Sequence, residues 1–240
     1  MTIKTRLIDY RDGDFVFEGM LAWDDAVDGP RPGVLVAHTI RGRSQFEESK
    51  AVALAEQGYT GFAVDVYGKE AIGSDIEACR EMMEALRSER AVLQQRLLLA
   101  LQAMRGQPEV DATSVAAIGY CFGGLCALDI ARTGEPLAGV VSFHGLFDPP
   151  GNTADNRIAA RVLALHGWDD PLATPEQAVA FGEELSSMGA DWQLHCYGNV
   201  RHAFTNPAAD ASTGVTKYDE SADRRSWAAA QYFLSELFDT

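Results

Sequence analysis

Lysine is nearly missing from this sequence. Only four of its 20 basic residues are lysine, against 35 acidic residues, which leaves a formal charge of −15. No run of more than two Lys or Arg occurs. A chain that binds nucleic acid neutralises phosphates with a clustered basic face, so nucleic-acid partners are excluded. Long apolar runs are missing too. Nothing approaches the roughly 18 apolar residues of a membrane helix, so no membrane partner is expected. Residues 1–10 lack a secretory apolar core and meet acids early. The four cysteines (Cys79, Cys121, Cys126, Cys196) show no paired CxxC spacing, which argues against zinc or a disulfide framework, although an even number leaves a disulfide open. A reduced, cytoplasmic protein without metal or cofactor is the expectation.

What is present is an alternation of two periodicities. Strand-like segments fall at 15–23, 33–38, 61–66, 115–120, 138–143, 162–166 and 192–197. Several are continuous apolar runs, the pattern of strands covered on both faces in a parallel sheet. Segment 15–23 alternates more and comes first, so it reads as an antiparallel edge strand. Helical segments lie between the strands. Ser44 with Glu47 fits a capping box closed by Gly58, and Ser74 with Glu77 fits a second. The stripe after Ser74 runs to Gly106 with an interruption near Arg87–Arg90, as if two helices met there. Thr174-Pro175 opens another helix, ended by Gly189. The last helix covers about 221–238. No repeat or linker interrupts the 240 residues. The expectation is one α/β domain over 1–240: a mostly parallel, doubly wound sheet of seven or eight strands, helices on both faces, no cap domain. Such sheets place their sites at the carboxyl ends of strands.

One strand-to-helix junction carries chemistry. Ala117-Ile118-Gly119-Tyr120-Cys121-Phe122-Gly123-Gly124 has the form of a nucleophile elbow, with Cys where Ser is commoner. Most lone cysteines are small core residues, and the context sets this one apart. Gly119 and Gly123 remove side chains that would collide with the neighbouring helix and strand. A helix starting at Phe122 points its N–H groups at the sulfur, favouring thiolate, and the Phe122 N–H is placed to bind an oxyanion. Two later strands are followed by Gly167-Trp168-Asp169-Asp170-Pro171 and Gly198-Asn199-Val200-Arg201-His202-Ala203-Phe204. An acid and then a histidine is the order in which an α/β-hydrolase supplies the group that orients its base and then the base itself. Spacing alone leaves Asp169 and Asp170 open. Four of five histidines sit at or just past strand ends, so position alone does not select His202 either.

With these residues in hand, the sequence resembles the dienelactone hydrolase family. The matching blocks are 31–38, 63–68, 118–124, 140–145, 165–171 and 197–207, in order along nearly the whole chain. The resemblance implies an α/β-hydrolase with a Cys-His-Asp triad on Cys121, His202 and Asp170, preferring Asp170 over Asp169. It implies a small ester or lactone as substrate. Two positions depart from the family. A glutamate that interacts with the thiol is replaced by Thr39, and a carboxylate-binding arginine by Asn206. Arg41, Arg43 and Arg201 read as solvated loop residues. With the charge of −15, this favours neutral esters or lactones. The oxyanion donors are expected from Phe122 and the Thr39–Ile40 loop. Tyr67, Phe143, His144, Trp168 and Phe204 are expected to wall the pocket. The competing expectations are a ligand-binding or thiol-sensing protein of the same fold, and an acyltransferase using the same residues.

Overall fold

The computed structural model describes residues 1–238. The described residues form eight strands and six α-helices, with strand order β1-β2-β4-β3-β5-β6-β7-β8. Contacts gather into two compact units, Met1–Ile118 and Gly119–Thr240.

In the first unit, β1 (Ile3–Asp12) and β2 (Phe15–Asp24) form an antiparallel hairpin through Gly13, which takes φ 57°. β3 (Arg31–Ala37) runs parallel to β4 (Thr60–Ala63), and β2 pairs antiparallel with the other side of β4. The expected edge strand is therefore an interior one. β1 covers it, and β1 itself is unmarked in the sequence because only Tyr10 of its ten residues is buried and charges interrupt its alternation. β4 stops earlier than its apolar run. The Asp65 carboxylate accepts the N–H groups of Tyr67 and Gly68 at 2.8 and 2.9 Å, turning the chain out of the ladder.

α1 (Gln45–Ala55) begins at the expected capping box: Glu47 accepts the Ser44 N–H at 3.0 Å. α2 (Ile76–Ser88) and α3 (Arg90–Arg105) break at Glu89, inside the interruption of the apolar stripe. The Ser74 box is not formed. Asp75 is the N-cap, accepting from the Ala78 N–H at 2.9 Å, because a carboxylate one residue later reaches the same donors. β5 (Val110–Tyr120) starts five residues before its apolar run and carries the chain across the boundary between the units.

In the second unit, α4 (Phe122–Arg132) follows β5 after one residue, and all its residues are buried. β6 (Gly139–Phe143), β7 (Arg161–Gly167) and β8 (Trp192–Tyr197) run parallel. α5 (Pro175–Ser187) has its capping box from Thr174 to Gln177, and α6 (Glu220–Phe238) closes the chain. The fully buried Arg132 guanidinium ties α4 to α5 through Glu184 at 2.7 Å and holds the Phe147 carbonyl at 2.9 Å. Removing one partner would strand a buried charge, so this cluster fixes the far end of the elbow helix.

Candidate active site

Cys121 is the single residue between β5 and α4, and it has φ 58° and ψ −118°. A non-glycine residue held there costs on the order of 1–3 kcal/mol. Close packing enforces it. A Cβ on Gly119 would lie 1.9 Å from the Gly123 carbonyl oxygen, and one on Gly124 would lie 2.6 Å from Gly145 Cα. Both glycines are required by approach rather than by dihedral angle. Gly119→Ala is expected to lower unfolding free energy by roughly 3 kcal/mol, read by urea titration, because backbone meets the new methyl. The Cys121 N–H donates to the Phe143 carbonyl at 3.0 Å and to His144 Nδ1 at 3.1 Å. Phe122 is the first residue of α4, so its N–H belongs to the donor end of the helix. Cys121 is partly exposed, whereas Cys79 and Cys126 are buried and Cys196 lies on the surface.

The acid and the histidine come from the loops after β7 and β8. Gly167 permits their approach, since a Cβ there would meet the Val200 carbonyl oxygen at 2.6 Å. The Asp169 N–H donates to that same carbonyl at 2.9 Å. Asp170 points inward and is 1% exposed, while Asp169 is exposed. Asp170 Oδ1 accepts the Leu172 N–H at 2.8 Å, and Oδ2 accepts from His202 Nδ1 at 2.7 Å. The two aspartates that spacing left open are thus distinguished by burial. Burial opposes a charge on His202. The Cys121 sulfur and then the Asp170 carboxylate outweigh it, and the imidazole is raised to about 10. Nε2 of His202 is buried, and the Cys121 sulfur acts on the same ring.

Several expected pocket residues have other work. Phe143 and Phe204 have no exposed surface, so neither can wall an open pocket. Phe143 stacks on Tyr120 at 4.4 Å, and Phe204 packs edge-on against His144 at 5.0 Å. Trp168 is 40% exposed and lines an open apolar groove of about 620 Å³ with Val179 and Gly182 of α5 and Trp192 and Leu194 of β8. His144 is 2% exposed and forms part of a hydrogen-bonded network. Tyr67 donates from its hydroxyl to the Ile40 carbonyl at 3.1 Å and packs against His38.

The Thr39 N–H is already committed. It donates at 3.0 Å to the buried Glu47 carboxylate, which also holds both the N–H and the hydroxyl of Ser44. A Thr39 N–H held this way is not free to receive an oxyanion, contrary to the expectation for that position. The capping-box spacing around Ser44 was visible in sequence, but the second use of Glu47 was not. Arg43 is not a solvated loop residue either. It is 6% exposed and paired with Glu18 at 2.6 Å and with Glu48. Asn206 caps its own turn, accepting the Ala208 N–H at 2.9 Å. His166 is fully buried against Phe147, and desolvation keeps it below the ordinary histidine value. Among the described residues, no cluster of three His, Cys, Asp or Glu could hold a metal. No described helix is long and apolar enough to cross a membrane.

The mostly parallel eight-stranded sheet is an α/β-hydrolase-type fold, and the protein is a carboxylic ester hydrolase. The chain belongs to the dienelactone hydrolase family, whose model matches residues 17–238. It is 38% identical to a dienelactone hydrolase-like promiscuous phosphotriesterase, P91, from metagenomic libraries. That solved structure superposes with a TM-score of 0.92, covering 99% of this chain and 100% of the other. The chain is 26% identical to a probable 2-oxo-3-(5-oxofuran-2-ylidene)propanoate lactonase of Bradyrhizobium sp, over 88% of this chain and 89% of that protein. It is 32% identical to the carboxymethylenebutenolidase of Pseudomonas sp. (strain P51), over 44% of this chain and 47% of that one.

Proposed function

We propose that this enzyme hydrolyses small, neutral esters or lactones through a thioester on Cys121, with His202 as proton carrier and Asp170 as its orienting acid. The observation that carries the reading is the 2.7 Å bond from Asp170 to His202 Nδ1, with the Cys121 sulfur acting on the same imidazole. The Cys121 sulfur is the largest influence raising the imidazole, to about 10, and in this reading the two groups rest as thiolate and imidazolium at neutral pH. The thiolate attacks the acyl carbon, and the developing oxyanion is received by the Phe122 N–H at the positive end of α4. As the tetrahedral intermediate collapses, His202 gives its Nε2 proton to the leaving alkoxide, and an alcohol departs.

Acylation also changes the histidine. The thioester sulfur carries no charge, so the largest influence raising the imidazole is gone and burial pulls its affinity for protons down. His202 then suits the second half-reaction, taking a proton from water as water attacks the thioester. Thiolate is released with the acid product, and the proton stays on the imidazole.

Neutral substrates are supported by the commitment of Arg43 to Glu18 and Glu48, by Asn206, and by the charge of −15. The relative named as a promiscuous phosphotriesterase adds a second class to this reading: neutral phosphotriesters, attacked by the same thiolate at phosphorus. The free thiols fit a reducing, cytoplasmic setting, and the family match over 17–238 supports a single hydrolase domain. Rapid quenching with p-nitrophenyl acetate in excess is expected to trap one acetyl group on the Cys121 peptide, found by mass spectrometry. Turnover without that adduct on any cysteine would count against the thioester. A stable adduct with no turnover would favour the thiol-sensing alternative, and transfer to added alcohol in preference to water would favour acyl transfer.

A further inference from the structure

His144 faces two ways. It follows β6 directly, has φ 38° and donates its own N–H to the Leu165 carbonyl at 2.8 Å. The next residue, Gly145, is pressed so closely on Gly124 of α4 that a Cβ would meet backbone at 2.9 Å. This approach brings the His144 ring to the elbow. Nδ1 takes the Cys121 N–H at 3.1 Å, and Nε2 lies 2.8 Å from Thr205 Oγ1. A backbone N–H can only donate, so Nδ1 must present its lone pair. The neutral ring therefore carries its proton on Nε2 and donates it to the Thr205 hydroxyl. Thr205 is buried and lies three residues after His202, in the same loop. The His144 ring also packs edge-on against His202, with centroids 5.2 Å apart.

We propose that His144 and Thr205 act together as positioning residues, clamping the nucleophile elbow to the loop that carries His202. The inference rests on Cys121 and His202 being nucleophile and proton carrier. At 2% exposure His144 does not meet substrate, and its effect passes through the sulfur–imidazole distance and alignment. A fixed pair keeps the thiolate–imidazolium state populated, whereas a slack one lets the proton return to sulfur.

Thr205→Val keeps shape and volume but removes the hydroxyl, leaving the buried Nε2–H without its acceptor. Losing one neutral hydrogen bond of this kind is expected to slow both iodoacetamide labelling of Cys121 and turnover of p-nitrophenyl acetate by about 3- to 10-fold. The ultraviolet absorbance of the thiolate at neutral pH should fall with them. Thr205→Ser should restore all three to within about twofold, since it returns the hydroxyl. His144→Asn keeps an acceptor near the Cys121 N–H but cannot reach Thr205, so it should match Thr205→Val. Combining the two should add nothing further. Wild-type labelling and thiolate absorbance in Thr205→Val, whatever its melting temperature, would overturn the proposal. So would no restoration by serine, or additive losses in the double variant. Labelling is read on the Cys121 peptide and does not depend on turnover. Loss of the clamp thus stays distinguishable from loss of the triad reading, which undiminished turnover by Cys121→Ala would remove.

Discussion

Cys121→Ala is expected to reduce p-nitrophenyl acetate turnover by roughly 10⁴-fold or more, to the level of an oxyanion donor and a bound substrate without a nucleophile. The fold should tolerate the change, because a methyl group fits wherever the Cys121 Cβ already does. The imidazole should respond as well. The sulfur is the largest influence raising His202, and burial works against that charge. In the variant the His202 titration, followed by NMR of the ring protons, should move down from about 10. The consequence for stability has a definite sign. A folded-state value raised above the ordinary 6.5 contributes stability fully below pH 6.5 and loses it as pH rises through about 10. Urea titrations across that window should show the wild type weakening toward pH 10 and the variant, with a smaller contribution to lose, weakening less and over a window that ends at lower pH. Substantial turnover by the variant, or an unmoved His202 titration, would remove Cys121 from the centre of the reaction.

The elbow was legible because its demands are local. Gly119 is needed for an approach of 1.9 Å set by the chain itself over four residues, so the sequence carries the constraint in full. The break between α2 and α3, the box at Ser44 and the helix start at Thr174-Pro175 were legible for the same reason. β1 was not, because an outer strand that buries only Tyr10 leaves no alternation to read. Without β1, the edge of the sheet falls on β2. Asp169 and Asp170 are equivalent by spacing, and their difference lies in which one turns inward after Gly167. The roles of His144 and Glu47 depend on partners brought together by tertiary structure: a Cys121 N–H 23 residues away and a Thr39 N–H eight residues away. The aromatic residues near the site read as pocket walls because aromaticity signals burial and recognition alike. Only their exposure separates the two, at 0% for Phe143 and 40% for Trp168.

Asp170→Asn should cost roughly 10³–10⁴ in turnover while leaving the fold intact, which is a sharper test of mechanism than deletion. The reason is the direction of one proton. Asp170 Oδ1 accepts the Leu172 N–H at 2.8 Å, and an asparagine would keep its carbonyl oxygen there. That choice turns the amide NH₂ toward His202 Nδ1, where the carboxylate now accepts at 2.7 Å. An amide donor forces Nδ1 to become the acceptor and moves the imidazole proton to Nε2. In the proposed thioester route Nε2 takes a proton from water in deacylation, and in this tautomer it has no lone pair to do so. In that route acylation is impaired as well, since the carboxylate no longer supports the imidazolium proposed to pair with the Cys121 sulfur. The variant should therefore label slowly with iodoacetamide at neutral pH and, once acylated, hold its thioester for longer than the wild type. Asp169→Asn is the matched control: that side chain is exposed, and its loss should change turnover by less than about threefold, a shift of roughly half a kcal/mol in the barrier. If the two variants behaved alike, or Asp169→Asn were the more damaged, the orienting acid would have to be sought elsewhere than at the 2.7 Å contact with His202.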